Sequence, residues 1–155
     1  MRWERLLPVS GAMTDASHSR PEPSSLKILC VDDEPDIRAV LEMSLKMDLR
    51  LEVRTAGSGK EALHILMLEG WCPDLALLDM MMPEMDGCEL ATAIRAMGHI
   101  AHIPIIFVSA NDRPADLARY RSVGAMGFIR KPFDPMTVAR LVRDHMSGAV
   151  TSLAE

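Results

Sequence analysis

Five side chains close short apolar runs and carry groups able to do chemistry: Asp32 and Asp33 after "LKILCV", Asp79 after "LALL", Ser109 after "IIFV", and Lys131 after "GFIR". In an open parallel sheet, ligands bind just beyond the carboxyl ends of the strands, so these five are candidates for one site. Taken singly, each has a local use: Asp33 can cap the helix that Glu34-Pro35 opens, Asp79 can start a turn, and Ser109 can satisfy backbone donors. Capping needs one carboxylate per helix, however, and explains neither the doubled aspartate nor the lysine. Two carboxylates about 4 Å apart repel by roughly 4 kcal/mol at an effective dielectric near 20. Three ionised carboxylates in one pocket therefore call for a cation. Carboxylate, carbonyl and water ligands, with no histidine or thiol placed to help, suit Mg²⁺ better than Zn²⁺. Lys131 adds a positive point suited to a phosphate oxygen and Ser109 a hydroxyl donor, which implies an anionic substrate.

The elements that would position these groups alternate. The runs "LKILCVDD", "LEVRTA", "PDLALLD", "IPIIFVSA" and "GFIRKP" read as strands, and helical patterns lie between them, the signature of βαβ units building a parallel sheet. Leu75 to Leu78 and Ile103 to Val108 are nearly continuous in apolar residues, as expected of central strands covered on both faces. Ile37, Val40, Leu41 and Leu45 fall on one helical stripe; Leu63, Leu66 and Met67 form a second, and Leu90, Ile94 and Met97 a third. A last helix is expected from Pro135 to about Met146, capped by Asp134, with Val138, Leu141 and Val142 inward. Right-handed crossovers then give an open α/β sandwich.

Composition narrows the function. With 155 residues, 48% of them hydrophobic, one compact domain is expected. The formal charge of −5 and the lack of a basic block argue against nucleic-acid binding by this chain alone. No apolar run approaches the roughly 18 residues of a membrane span, and the first residues have too short an apolar core for secretion, so a cytoplasmic protein is expected. Cys30, Cys72 and Cys88 lack metal-ligand spacing and read as reduced packing residues. Residues 1–25 read as a disordered leader, rich in Pro, Ser and charge, within which Met13 is an alternative start; 26–147 form the domain and 148–155 a flexible tail. His99 and His102, an i, i+3 pair before a strand, lack a third ligand and read as loop residues.

"CVDDEPDIR", "LLDMMMPEMDG", "FVSA" and "IRKPF", in this order and spacing over Leu26 to Met146, together resemble the receiver domain of two-component response regulators. The resemblance implies a flavodoxin-like, doubly wound five-stranded parallel sheet of order 2-1-3-4-5 with helices on both faces. It implies that Asp79 is the phosphoacceptor, that Asp32, Asp33, Asp79 and the Met81 backbone carbonyl hold Mg²⁺, that Ser109 is the switch hydroxyl, and that Lys131 binds the phosphoryl group. A cis peptide between Lys131 and Pro132 is implied as well. Asp79 would attack the phosphorus of a phosphohistidine on a histidine kinase or phosphotransfer protein.

Further expectations follow from the resemblance. Phe128 matches the aromatic switch position, usually tyrosine, and would act by packing. Met81 and Asn111 match positions that tune access of the hydrolytic water, and an apolar Met81 predicts slow autodephosphorylation. The fourth helix, fifth strand and fifth helix, roughly 114–123 and 127–146, would present the output face to a downstream protein or to a second copy. On it, "DLARYRSVG" is expected to expose Arg119, Tyr120 and Arg121. The only chemistry expected of such a stand-alone receiver is gaining and slowly losing a phosphoryl group. Two alternatives compete: a non-phosphorylated adaptor with the same fold, and a haloacid-dehalogenase-like phosphatase, which Met81 disfavours because such enzymes place an aspartate two residues after the nucleophile.

Overall fold

A computed structural model describes residues 25–147. Its elements alternate: β1 (Leu26–Val31), α1 (Pro35–Lys46), β2 (Leu51–Ala56), α2 (Gly59–Met67), β3 (Leu75–Leu78), α3 (Gly87–Arg95), a single 3-10 turn (Gly98–Ile100), β4 (Ile105–Ser109), α4 (Pro114–Ser122), β5 (Gly127–Arg130) and α5 (Val138–Ser147). All four strand pairings are parallel, in the order β2-β1-β3-β4-β5. This is the doubly wound sheet expected from the sequence.

The two-residue period of the strands divides the core. Leu29, Val31, Ala76, Leu78 and Phe107 face α2, α3 and α4, while Ile28, Cys30, Leu75, Leu77, Ile106 and Val108 face α1 and α5. Both β3 and β4 are buried along their whole length, which is why they read as unbroken apolar runs.

Several local expectations are corrected. On α1, Leu41, Ser44 and Leu45 are buried but Val40 is 36% exposed, because the stripe is centred nearer Ser44 and leaves Val40 at its edge. On α2 the buried residues are Gly59, Ala62, Ile65 and Leu66, and Met67 is 64% exposed. Small Ala62 sets the phase there, which puts Met67 across the helix from the sheet. The last helix begins at Val138, not Pro135, because Asp134 folds the chain into a turn first: its side chain accepts from Met136 N at 2.9 Å and its carbonyl from Thr137 N at 3.0 Å. Cys72 is exposed and packs no core, whereas Cys30 and Cys88 are buried. His99 lies in the 3-10 turn and His102 just after it, both in the loop before β4.

Glycine is required at two places, one of them against the site. A Cβ on Gly87 would lie 2.3 Å from the Asp79 carbonyl oxygen and 2.9 Å from Phe107 Cε1, so α3 starts against the backbone of β3's terminus only because nothing projects there. Gly124, at φ +73°, ends α4 in the left-handed conformation; its N–H and that of Ala125 return to Arg121 and Tyr120 carbonyls.

Candidate functional site

The sheet ladder runs one residue past the strands and thereby aims the acidic groups. Asp32 N donates to Ala56 O at 3.1 Å, Asp79 N to Val31 O at 2.9 Å, and Lys131 N to Ser109 O at 2.9 Å. Asp32, Asp79, Ser109 and Lys131 are therefore held in register at the carboxyl ends of β1, β3, β4 and β5. Carboxylate oxygens of Asp32, Asp33 and Asp79 come within 4.8 Å of one another. Among the described residues this is the one group of three or more potential metal-ligating side chains that converges in this way.

Asp32 and Asp79 are 0% and 5% exposed, and Asp33 is half-buried. Lys131 reaches in from β5: its Nζ lies 2.8 Å from Asp32 Oδ2 and 3.3 Å from Asp79 Oδ1, with Glu34 Oε1 at 3.9 Å. The other oxygen of Asp32 accepts from Glu34 N at 2.9 Å, and Arg38 donates to the Asp32 carbonyl at 2.8 Å, which fixes the loop between β1 and α1. The Lys131-Pro132 peptide bond is cis, as the resemblance implied.

The protonation states record the crowding. Burial, and then the negative charge of Asp32, push Asp79 from 3.8 up to about 6; Lys131 opposes this without cancelling it, and a hydrogen bond with Asp33 adds to the rise. Burial alone would lower the Lys131 pKa, but its hydrogen bond to Asp32 and the charges of Asp79 and Asp32 raise it, so it stays an ammonium. One lysine thus faces three carboxylates. The remaining negative charge, the all-oxygen donor set and the close approach of the three side chains fit a hard divalent cation such as Mg²⁺.

The other candidate residues lie on β4, on β5 and in the loops after β3 and β4. Ser109 is buried at the end of β4, and its Oγ accepts from Asn111 N at 3.0 Å, so Asn111 begins the loop that leads to α4. In the segment after Asp79, Met80 and Met82 are buried while Met81 is 63% exposed. Gly87 N donates to Met80 O at 2.8 Å and closes this loop onto α3, whose start is secured by a reciprocal capping pair between Asp86 and Glu89. Phe128 is half-buried on β5.

One expectation fails here. Tyr120, expected on the surface, is completely buried. Its ring stacks between Phe107 at 4.4 Å and Phe128 at 5.5 Å between centroids, and its hydroxyl donates to Asn111 O at 2.9 Å. The weak signal for this was Leu117, Tyr120 and Val123 at i, i+3 and i+6, all packed on the same core; the charged neighbours masked it. Arg119 and Arg121 are exposed as expected, and Arg119 pairs with Asp86 at 3.1 Å. Sequence reasoning also missed Arg95. Its guanidinium donates to the carbonyls of Ala101, Ile103, Val123 and Gly124 at 2.6 to 3.1 Å, tying α3 to the approach to β4 and to the end of α4.

Comparison with known proteins agrees with this arrangement. The family model of the response regulator receiver domain matches residues 28–143. The chain is 40% identical over 122 residues to a "Probable transcriptional regulator ycf27" of Cyanophora paradoxa, covering 79% of this chain and 48% of that protein. It is 36% identical to an uncharacterised 14.6 kDa protein of Leptolyngbya boryana, of which it covers 91%. Among solved structures, the chemotaxis response regulator CheY4 of Vibrio cholerae superposes with a TM-score of 0.71 at 31% identity, over 79% of this chain and 99% of that one. The chain spans about half the length, or less, of several curated relatives that it matches.

Proposed function

Since the chain belongs to the response regulator receiver domain family, we propose that it is a phosphoacceptor switch in which Asp79 takes a phosphoryl group from a histidine kinase or phosphotransfer protein and signals to a downstream protein partner. The observation that carries this reading is the placement of Asp79: an almost covered carboxylate at the end of β3, flanked by Asp32 and Asp33 and bonded to Lys131.

The chemistry follows from these groups. An Asp79 carboxylate oxygen attacks the phosphorus of a phosphohistidine; the new P–O bond forms as the P–N bond breaks, and the imidazole nitrogen leaves with the electron pair and is reprotonated. Attack needs the anion, which predominates at neutral pH because the Asp79 pKa is about 6. Asp32, Asp33 and Asp79, with the Met81 carbonyl, would hold Mg²⁺, which when bound neutralises charge on the transferring phosphoryl group. Lys131, already an ammonium beside Asp79, supplies a donor for one phosphoryl oxygen, and Ser109 supplies a hydroxyl for another. Exposed, apolar Met81 and the loop residue Asn111 flank the path a hydrolytic water would take, and we assign them to the lifetime of the aspartyl phosphate.

We place the protein in the cytoplasm; among the described residues no helix is long and apolar enough to cross a membrane. The experiment is intact-mass spectrometry after incubation with Mg²⁺ and acetyl phosphate. One phosphoryl mass should be gained by the unaltered chain, and none by Asp79→Asn or by a metal-free sample. No gain from acetyl phosphate or from several histidine kinases would leave a non-phosphorylated adaptor.

A further inference from the structure

Helix α4 has one buried residue, Tyr120. Leu117 and Val123 add only partly buried contacts, so the inner face of this helix is anchored chiefly by that ring. At its C-terminal end, the Arg95 bonds to the Val123 and Gly124 carbonyls fix the turn into β5. The other end follows directly from the loop that carries Ser109 and Asn111.

Two bonds link Tyr120 through that loop to Ser109. The phenol donates its proton to Asn111 O at 2.9 Å, and Asn111 N donates to Ser109 Oγ at 3.0 Å. The Asn111 peptide is thus held on its carbonyl by Tyr120 and on its N–H by Ser109. A turn of the Ser109 side chain toward a phosphoryl oxygen on Asp79 therefore moves or breaks its bond to Asn111 N, on the same residue whose carbonyl holds the Tyr120 hydroxyl.

From this shared residue we infer that Tyr120, rather than Phe128 alone, is the positioning residue through which α4 senses the phosphorylation state of Asp79. The inference rests on the phosphoacceptor reading above. In the free protein Ser109 Oγ holds Asn111 N and Tyr120 holds Asn111 O, and the ring stack with Phe107 and Phe128 keeps α4 against β4 and β5. Phosphorylation offers the Ser109 hydroxyl a charged acceptor. Ser109 turns to it, the Asn111 backbone follows its bond to Ser109 Oγ, and Tyr120 loses its hydrogen-bond partner. Helix α4, pivoting about the end fixed by Arg95, then shifts the exposed face bearing Arg119 and Arg121. Arg119 reports the same event through its ion pair with Asp86, at the start of α3 and close to the loop that follows Asp79.

Tyr120 is the only tyrosine in the chain, which makes the test direct. Tyrosine-selective isotope labelling gives one ring whose NMR signals are followed before and after Mg²⁺ and acetyl phosphate, with phosphoryl gain measured by mass in the same samples. In parallel, amide hydrogen exchange across 113–122 is compared between the unaltered chain and Tyr120→Phe, which keeps the ring and removes the hydroxyl. The expected result is a displaced tyrosine signal on phosphorylation. Tyr120→Phe should show faster α4 exchange already in the free state, by about fivefold, the usual effect of one neutral hydrogen bond, and a correspondingly smaller change on phosphorylation. Normal phosphoryl gain with an unmoved tyrosine signal, or a Tyr120→Phe protein that keeps the full exchange difference, overturns this inference alone. An unaltered chain that never gains phosphoryl mass overturns the phosphoacceptor reading and this inference together.

Discussion

Replacing Asp79 by Asn should stabilise the metal-free protein, although it removes the group proposed to do the chemistry. Asp79 has its pKa raised from 3.8 to about 6, chiefly by burial and then by Asp32. The folded state therefore binds the Asp79 proton more tightly than the unfolded chain does. Between those two values the native protein carries more protons than the unfolded one, so stability falls as pH rises through the window and stays low above it. A shift of about two units corresponds to about 3 kcal/mol at 1.36 kcal/mol per unit. The side chain is 5% exposed, but its neighbours include half-buried Asp33 and exposed Glu34, so screening reduces the expected gain to about 1.5 kcal/mol.

The assay is urea denaturation in the presence of a chelator, comparing the unaltered chain and Asp79→Asn. At about pH 8 the variant should be more stable by about 1.5 kcal/mol, and the difference should shrink toward about pH 5, where the native Asp79 is itself protonated. Saturating Mg²⁺ should close or reverse the gap, because ligand at about a hundred times its Kd adds about 2.7 kcal/mol to the form that binds it, and the variant has lost one ligand. A variant no more stable than the parent in chelator at the higher pH, or equally favoured at both pH values, would refute the account of Asp79 as a carboxylate held at electrostatic cost.

Three other substitutions probe the same pocket. Lys131→Ala leaves Asp32 and Asp79 facing each other without their ammonium and should cost about 3 kcal/mol in metal-free urea unfolding at neutral pH, a loss that Mg²⁺ partly restores. Met81→Asn exchanges an exposed apolar side chain beside the site for an amide able to hold a water, and should speed loss of the phosphoryl mass by about threefold or more; an unchanged decay rate removes Met81 from the control of lifetime. Gly87→Ala forces a Cβ into the Asp79 carbonyl and Phe107, and should lower stability by about 2 to 3 kcal/mol while weakening Mg²⁺ binding measured by calorimetry.

The strand ends were legible because they combine two strong signals. Continuous apolar runs mark β3 and β4 as central strands, and a polar residue ending such a run has to lie at the edge of the sheet, where parallel pairing collects the ends. Asp32, Asp79, Ser109 and Lys131 came together on that logic alone. Helix phases were less legible. Ala62 and Ser44 carry too little apolar surface to announce the face they set, so larger Met67 and Val40 were counted as core when they lie across or at the edge of the stripe.

Tyr120 was misplaced for a different reason. Amphipathic reading weighs neighbours, and a tyrosine between Arg119 and Arg121 on a polar helix reads as surface. Its burial depends on Phe107 and Phe128, which lie 13 and 8 residues away in sequence and are brought beside α4 only by the pairing of β4 with β5. Its hydroxyl is satisfied by a backbone carbonyl, a partner that no residue pattern encodes. A helix held to the sheet chiefly by one hydrogen-bonded ring has a low barrier to local movement. That attachment is tied to the Ser109 loop, and the helix's outer face carries exposed cations, so the least legible contact in the sequence lies where a signal would have to leave the site.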